Sequence, residues 1–141
     1  MNTAKSGAYA RFGGGTVKKV LVVDDSETIR QHVADALTRV GFQVIEASDG
    51  AAGLQRTEQH DFSMIILDVN MPLLNGLEML ERLKQDPKTS GIPVLMLTTE
   101  AQRSMIDRAR QNGAKAWLIK PIKVESLVST VNKVLQQQGA S

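Results

Sequence analysis

Apolar residues fall along this chain in two alternating rhythms. Four unbroken runs stand out: Val20-Leu21-Val22-Val23, Met64-Ile65-Ile66-Leu67, Pro93-Val94-Leu95-Met96-Leu97 and Trp117-Leu118-Ile119. Each is too short for a helix and reads as a strand buried on both faces. The first strand is expected from roughly Lys19 to Val23, and the last from Ala116 to Ile119. Phe42 to Ala47 alternates apolar with polar and predicts a further strand. Between these segments the spacing lengthens to that of a helix. Ile29, Val33, Ala36, Leu37 and Val40 recur at helical intervals, and Gly41 closes that segment. Ser48-Asp49-Gly50 caps a second helix running to about His60. Leu77, Leu80 and Leu83 give a third helix its apolar face, and Asp86-Pro87 breaks it. A fourth is expected from about Ala101 to Asn112, stopped by Gly113. Val124, Leu127, Val128, Val131, Val134 and Leu135 make the strongest stripe of all, a fifth helix.

Strands and helices alternate five times. This predicts an α/β fold, a doubly wound five-stranded parallel sheet with helices on both faces. Residues 1–16 carry Gly13-Gly14-Gly15 and no periodicity, and are expected to be a flexible leader. The folded domain is expected over 17–137, with a tail at 138–141 and no output module after it. The three glycines match no phosphate-binding loop, because neither a GK[ST] nor a preceding strand accompanies them.

Composition narrows the function classes. The 141 residues suit one domain, and 42% hydrophobic content is ordinary for a globular protein. Without cysteine there are no disulfides and no thiolate metal sites. No apolar run approaches a membrane span, and no signal peptide is evident, so a cytoplasmic protein away from membranes is expected. The net charge of +2 divides unevenly. Lys5, Arg11, Lys18 and Lys19 put +4 into residues 1–19, which leaves the remainder at −2. A slightly acidic body with dispersed lysine and arginine argues against nucleic-acid binding.

The apolar runs matter most for where they stop. The first ends at Asp24-Asp25, the second at Asp68, the third at Thr98, and the last at Lys120-Pro121. Ligands of open parallel sheets sit beyond the carboxyl ends of the strands, so these side chains can converge across large sequence separations. Packed carboxylates repel, and a divalent cation such as Mg²⁺ relieves the repulsion while keeping several waters. The Asn70 backbone carbonyl, two residues past Asp68, is a further candidate ligand. A carboxylate can attack phosphorus to give an acyl phosphate, with a cation and a lysine neutralising the transferring oxygens. Lys120 is the candidate cation and Thr98 the candidate hydroxyl donor. Singly, an aspartate after a strand is an ordinary turn residue and Lys-Pro an ordinary loop. Together, in this order, they describe a site.

Over residues 17–137 the sequence resembles the receiver domain of two-component response regulators. The matching stretches are Val22-Val23-Asp24-Asp25-Ser26, Leu67-Asp68-Val69-Asn70-Met71-Pro72, Asn75-Gly76, Leu97-Thr98 and Lys120-Pro121. The resemblance implies the flavodoxin-like strand order 2-1-3-4-5. It also implies that Asp68 is a phosphoacceptor charged by a sensor histidine kinase, and that Asp24, Asp25, Asp68 and the Asn70 carbonyl hold Mg²⁺. Thr98 and Lys120 match the family's hydroxyl and lysine, and Lys120-Pro121 its usual cis peptide. With nothing expected after the domain, the chain is most similar to the CheY-like, chemotaxis-type regulators. The residue types at Asn70 and Glu100 match members of that subgroup that dephosphorylate quickly. Trp117 occupies the switch-aromatic position, where tyrosine or phenylalanine is commoner. The implied partners are a CheA-like kinase and a motility target docking on the fourth helix, last strand and last helix.

Three functions share these residues. The leading one is a phosphorylation-controlled binding module that dephosphorylates itself and is not otherwise an enzyme. A phosphorelay intermediate or phosphate sink would use the same site. An aspartyl-phosphate phosphatase of the haloacid-dehalogenase kind needs a second acid two residues after its nucleophile on the first strand. Asp24 is followed at that distance by Ser26, and although Asp25 is followed by Glu27, neither carries the rest of that motif. His32 and His60 lie on different helices without a third ligand, and Met71, Met79, Met96 and Met105 read as filler. Lys115 and Lys123 flank the last strand and read as a solvated face.

Overall fold

The computed structural model describes residues 17–99 and 103–140. The expected leader 1–16 and Glu100 lie outside the described residues. Five strands and five helices alternate: β1 (Lys19–Val23), α1 (Glu27–Arg39), β2 (Gln43–Ala47), α2 (Gly50–Gln59), β3 (Met64–Asp68), α3 (Gly76–Gln85), β4 (Val94–Thr98), α4 (Arg103–Gln111), β5 (Ala116–Ile119) and α5 (Val124–Ala140). All strand pairs are parallel and the order is β2-β1-β3-β4-β5. Helix α5 runs past the boundary expected at residue 137 and through most of the segment expected to be a tail.

Alternation along each strand divides the core in two. Leu21, Val23, Ile65, Leu67, Val94 and Met96 pack with α2, α3 and α4, whereas Val20, Val22, Met64, Ile66, Leu95 and Leu97 pack with α1 and α5. Central strands β3 and β4 are buried at every position, which is why their sequences are apolar on both faces. The edge strand β2 is partly exposed and reads mixed, whereas β5 is wholly apolar yet partly exposed, so the run expected to be buried on both faces is instead a sheet edge.

Local chemistry sets the helix ends. Ser26 Oγ accepts from the Ile29 N–H and caps α1, and Asp49 does the same for α2 through Ala52. Gly41, at φ 100°, and Gly113, at φ 95°, follow α1 and α4 in the left-handed conformation that favours glycine. Asn75-Gly76 is the start of α3. Asn75 is its N-cap, joined to Glu78 in a reciprocal capping box.

A candidate metal and phosphoryl site

The acids, the hydroxyl and the lysine expected at the site stand at or just beyond the carboxyl ends of strands. Asp68 and Thr98 are the last residues of β3 and β4, while Asp24 and Lys120 directly follow β1 and β5. Asp24 and Thr98 are 0% exposed and Asp68 is 1% exposed. Oxygens of Asp24, Asp25 and Asp68 lie within 4.8 Å of one another. Asp25 is exposed and closes the cluster on its solvent side.

Lys120 bridges the two buried acids. Its Nζ lies 2.8 Å from Asp24 Oδ2 and donates to Asp68 Oδ1 at 3.0 Å. The backbone holds that lysine in place, since its N–H donates to the Thr98 carbonyl at 2.7 Å and so continues the β4–β5 ladder. The Lys120-Pro121 peptide is cis. Burial first, and the neighbouring Asp24 charge second, push the Asp68 carboxyl up from 3.8 to about 6, against the opposing pull of Lys120 and the Asn70 N–H. Lys120 itself is raised. Burial acts against its charge, but the hydrogen bonds and charges of Asp24 and Asp68 outweigh it.

The donor set suits a hard divalent ion. Three carboxylates gather around one ammonium that reaches only two of them, and the buried Asp24 Oδ2 has Lys120 alone as its counter-charge among the described residues. An acidic pocket short of positive charge is what Mg²⁺ or Ca²⁺ compensates. Asn70 is exposed in the turn after β3, and its main-chain N–H bonds to the Asp68 carboxylate.

Trp117 is half-buried on β5, opposite Met96 in the sheet register. The ring packs against the core cluster that contains Met96 and Ala109. Its Nε1 is buried without a hydrogen-bond partner among the described residues.

Sequence reasoning passed over Arg30 and Glu46 beside the site, and gave His32 no role. Arg30 Nη1 donates to the Asp24 main-chain carbonyl at 2.7 Å, and its Nε donates to Glu46 Oε1 at 3.2 Å. His32 Nε2 meets the Ile122 carbonyl at 2.8 Å and so ties α1 to the loop after Lys120. Spacing gives no signal for Arg30 or His32, because each bonds a main-chain carbonyl, an acceptor that any residue type offers.

Comparison with known proteins agrees with this geometry. Residues 20–132 match the family model of the response regulator receiver domain. The chain is 34% identical over 120 residues to the Vibrio cholerae chemotaxis protein CheY-3, covering 84% of this chain and 92% of that one. It is 35% identical over 117 residues to protein PilH of Pseudomonas aeruginosa, covering 83% and 97%. Among solved structures, the chemotaxis response regulator CheY4 of Vibrio cholerae superposes with a TM-score of 0.80 at 39% identity, covering 84% of this chain and 99% of that one.

Proposed function

The chain belongs to the response regulator receiver domain family, and from that premise we propose that Asp68 accepts a phosphoryl group from the phosphohistidine of a CheA-like sensor kinase. The observation that carries this is the position of Asp68: buried at a strand end, joined by Lys120 to Asp24, and within reach of Asp25. The Asp68 carboxylate attacks phosphorus, an O–P bond forms, and the P–N bond of the donor breaks. The electron pair stays on the imidazole, which takes up a proton. Asp24, Asp25, Asp68 and the Asn70 carbonyl would hold Mg²⁺, which withdraws charge from the phosphoryl oxygens. Lys120 neutralises the oxygens on the other side. Its ammonium already lies at the attacking carboxylate, so it has only to turn from Asp68 Oδ1 to the incoming oxygens.

The acyl phosphate then acts as a signal. Thr98, buried at the end of β4, donates its hydroxyl to the new oxygens and shifts towards Asp68. Trp117, nearby on β5, takes up the space this leaves. The surface of α4, β5 and α5 is thereby reshaped for a target protein, and Ile119 and Val124 already expose apolar side chains there. Hydrolysis resets the switch: water attacks phosphorus, inorganic phosphate leaves and the carboxylate returns. The names of the CheY-3 and CheY4 relatives favour a target in chemotaxis. Among the described residues no helix is long and apolar enough to cross a membrane.

Incubation with acetyl phosphate and Mg²⁺ tests this reading by intact mass. The wild type should gain one phosphoryl group, labile to hydroxylamine as acyl phosphates are, and Asp68→Asn should gain none. Equal labelling of the two proteins refutes the assignment.

A further inference from the structure

Arg30 takes no part in the chemistry above, yet it is the most constrained cation near the site after Lys120. Its side chain is 15% exposed and lies in the first turns of α1. It grips the Asp24 carbonyl with Nη1 at 2.7 Å while Nε rests on Glu46 of β2 at 3.2 Å. The next residue of β2, Ala47, offers its carbonyl to the Asp24 N–H at 3.2 Å. Asp24 Oδ1 accepts from the Ser26 N–H at 2.9 Å. Asp24 is therefore held at its N–H, its carbonyl and one carboxylate oxygen, and the remaining Oδ2 faces Lys120.

The carbonyl that Arg30 holds belongs to the peptide joining Asp24 to Asp25. Because a peptide is planar, fixing its oxygen fixes the direction in which Asp25 leaves. Asp25 is exposed and has no comparable support from packing.

We propose that Arg30 is a positioning residue for the divalent-cation site. It pins the Asp24–Asp25 peptide so that both carboxylates face one point, and Glu46 holds the guanidinium in place. This rests on the acidic cluster being a Mg²⁺ site. Electrostatics alone predicts the opposite effect. A positive charge beside a cation site repels the ion, so deleting Arg30 should then tighten binding. Only a geometric role makes its loss weaken the site.

Calorimetric titration with MgCl₂, paired with metal-free melting curves, separates these cases. For Arg30→Gln the Kd for Mg²⁺ should rise about tenfold, the lower end of what outer-shell partners of metal ligands contribute. Arg30→Lys should recover part of the affinity, since an ammonium can reach the Asp24 carbonyl but cannot span both partners. Glu46→Gln should weaken binding less than Arg30→Gln does. A purely structural Arg30 would lower the melting temperature and leave Kd unchanged, which overturns the proposal. Tighter binding in Arg30→Gln also overturns it. If Arg30→Gln does not fold, Arg30→Lys and Glu46→Gln decide, and wild-type affinity in both is a refutation. A wild type that takes up no Mg²⁺ removes the metal reading itself, a failure visible before any variant is compared.

Discussion

Gly76 lies directly beneath the main chain of Asp68. A Cβ built on Gly76 would collide with the Asp68 carbonyl oxygen and come within 2.8 Å of the Val69 Cα. Both neighbours are backbone and cannot swing aside. Moreover, the Gly76 N–H donates to the Val69 carbonyl at 2.9 Å, so the start of α3 is fastened to the end of β3. Gly76→Ala should therefore cost about 2 kcal/mol or more, through displacement of the strand end. Acyl-phosphate formation should slow with it. Gly91, with nothing within 4 Å of its Cβ position, supplies the control. Gly91→Ala should stay within about 0.5 kcal/mol of wild type by urea denaturation.

The raised Asp68 makes metal-free stability depend on pH. Its carboxyl titrates near 6 in the folded protein against 3.8 ordinarily, so the folded state binds the proton more tightly. The favourable contribution is complete below about pH 4 and is lost as pH rises through 6. Asp68→Asn removes that titration. Relative to wild type, the variant should gain stability between pH 4 and 7.5, by an amount on the order of 2 kcal/mol. Parallel denaturation curves for the two proteins across this range, without Mg²⁺, would contradict it.

Mg²⁺ should raise the melting temperature, because the unfolded chain disperses the carboxylates that MgCl₂ would bind. At a concentration a hundredfold above Kd the gain is about 2.7 kcal/mol. Asp25→Ala relieves repulsion within the cluster and removes one of the proposed ligands. It should melt at or above the wild-type temperature without metal and show little response to added Mg²⁺. Calorimetric scans with and without the ion read both effects. A wild-type-sized response in Asp25→Ala would place the ion elsewhere.

Trp117 has a buried Nε1 with no partner among the described residues, and that imposes a penalty on its indole. Trp117→Phe removes the stranded donor and should stay within about 1 kcal/mol of wild type despite the smaller ring. In the wild type, beryllofluoride with Mg²⁺ should shift the emission of this single tryptophan further to the blue. Thr98→Ala should diminish that shift and leave Mg²⁺ binding in place. Constant emission with Asp68 fully occupied would exclude Trp117 from the switch.

The strand-end residues were legible for a physical reason. A central strand buried on both faces is apolar along its length, so the first polar residue marks its carboxyl end. Asp24, Asp68, Thr98 and Lys120 each follow an apolar run, and a parallel sheet places all those ends on one edge. Strand order has no comparable signature, since β1 and β3 look alike whether or not they are neighbours. It came from family resemblance. Arg30 escaped notice because its partner is the carbonyl of Asp24, an atom every residue possesses. The capping role of Asn75 was hidden because Asn-Gly serves hairpin turns and helix starts equally well. Helix α5 outran its expected end because the stripe of apolar residues ceases before the hydrogen-bonded helix does.

The order of the site residues along the chain has a consequence for synthesis. Translation delivers Asp24 and Asp25 first, then Asp68, and Lys120 only after the fourth strand is complete. A nascent chain that has emerged as far as Thr98 can bring three anions together before their protein-borne counter-charge exists. Such an intermediate would hold its carboxylates without an ammonium beside them, and even after β5 docks Lys120 meets only Asp24 and Asp68, which leaves the cluster in negative excess. A divalent cation bound to the nascent chain would then ease folding by the same charge compensation that a metal would give the finished site.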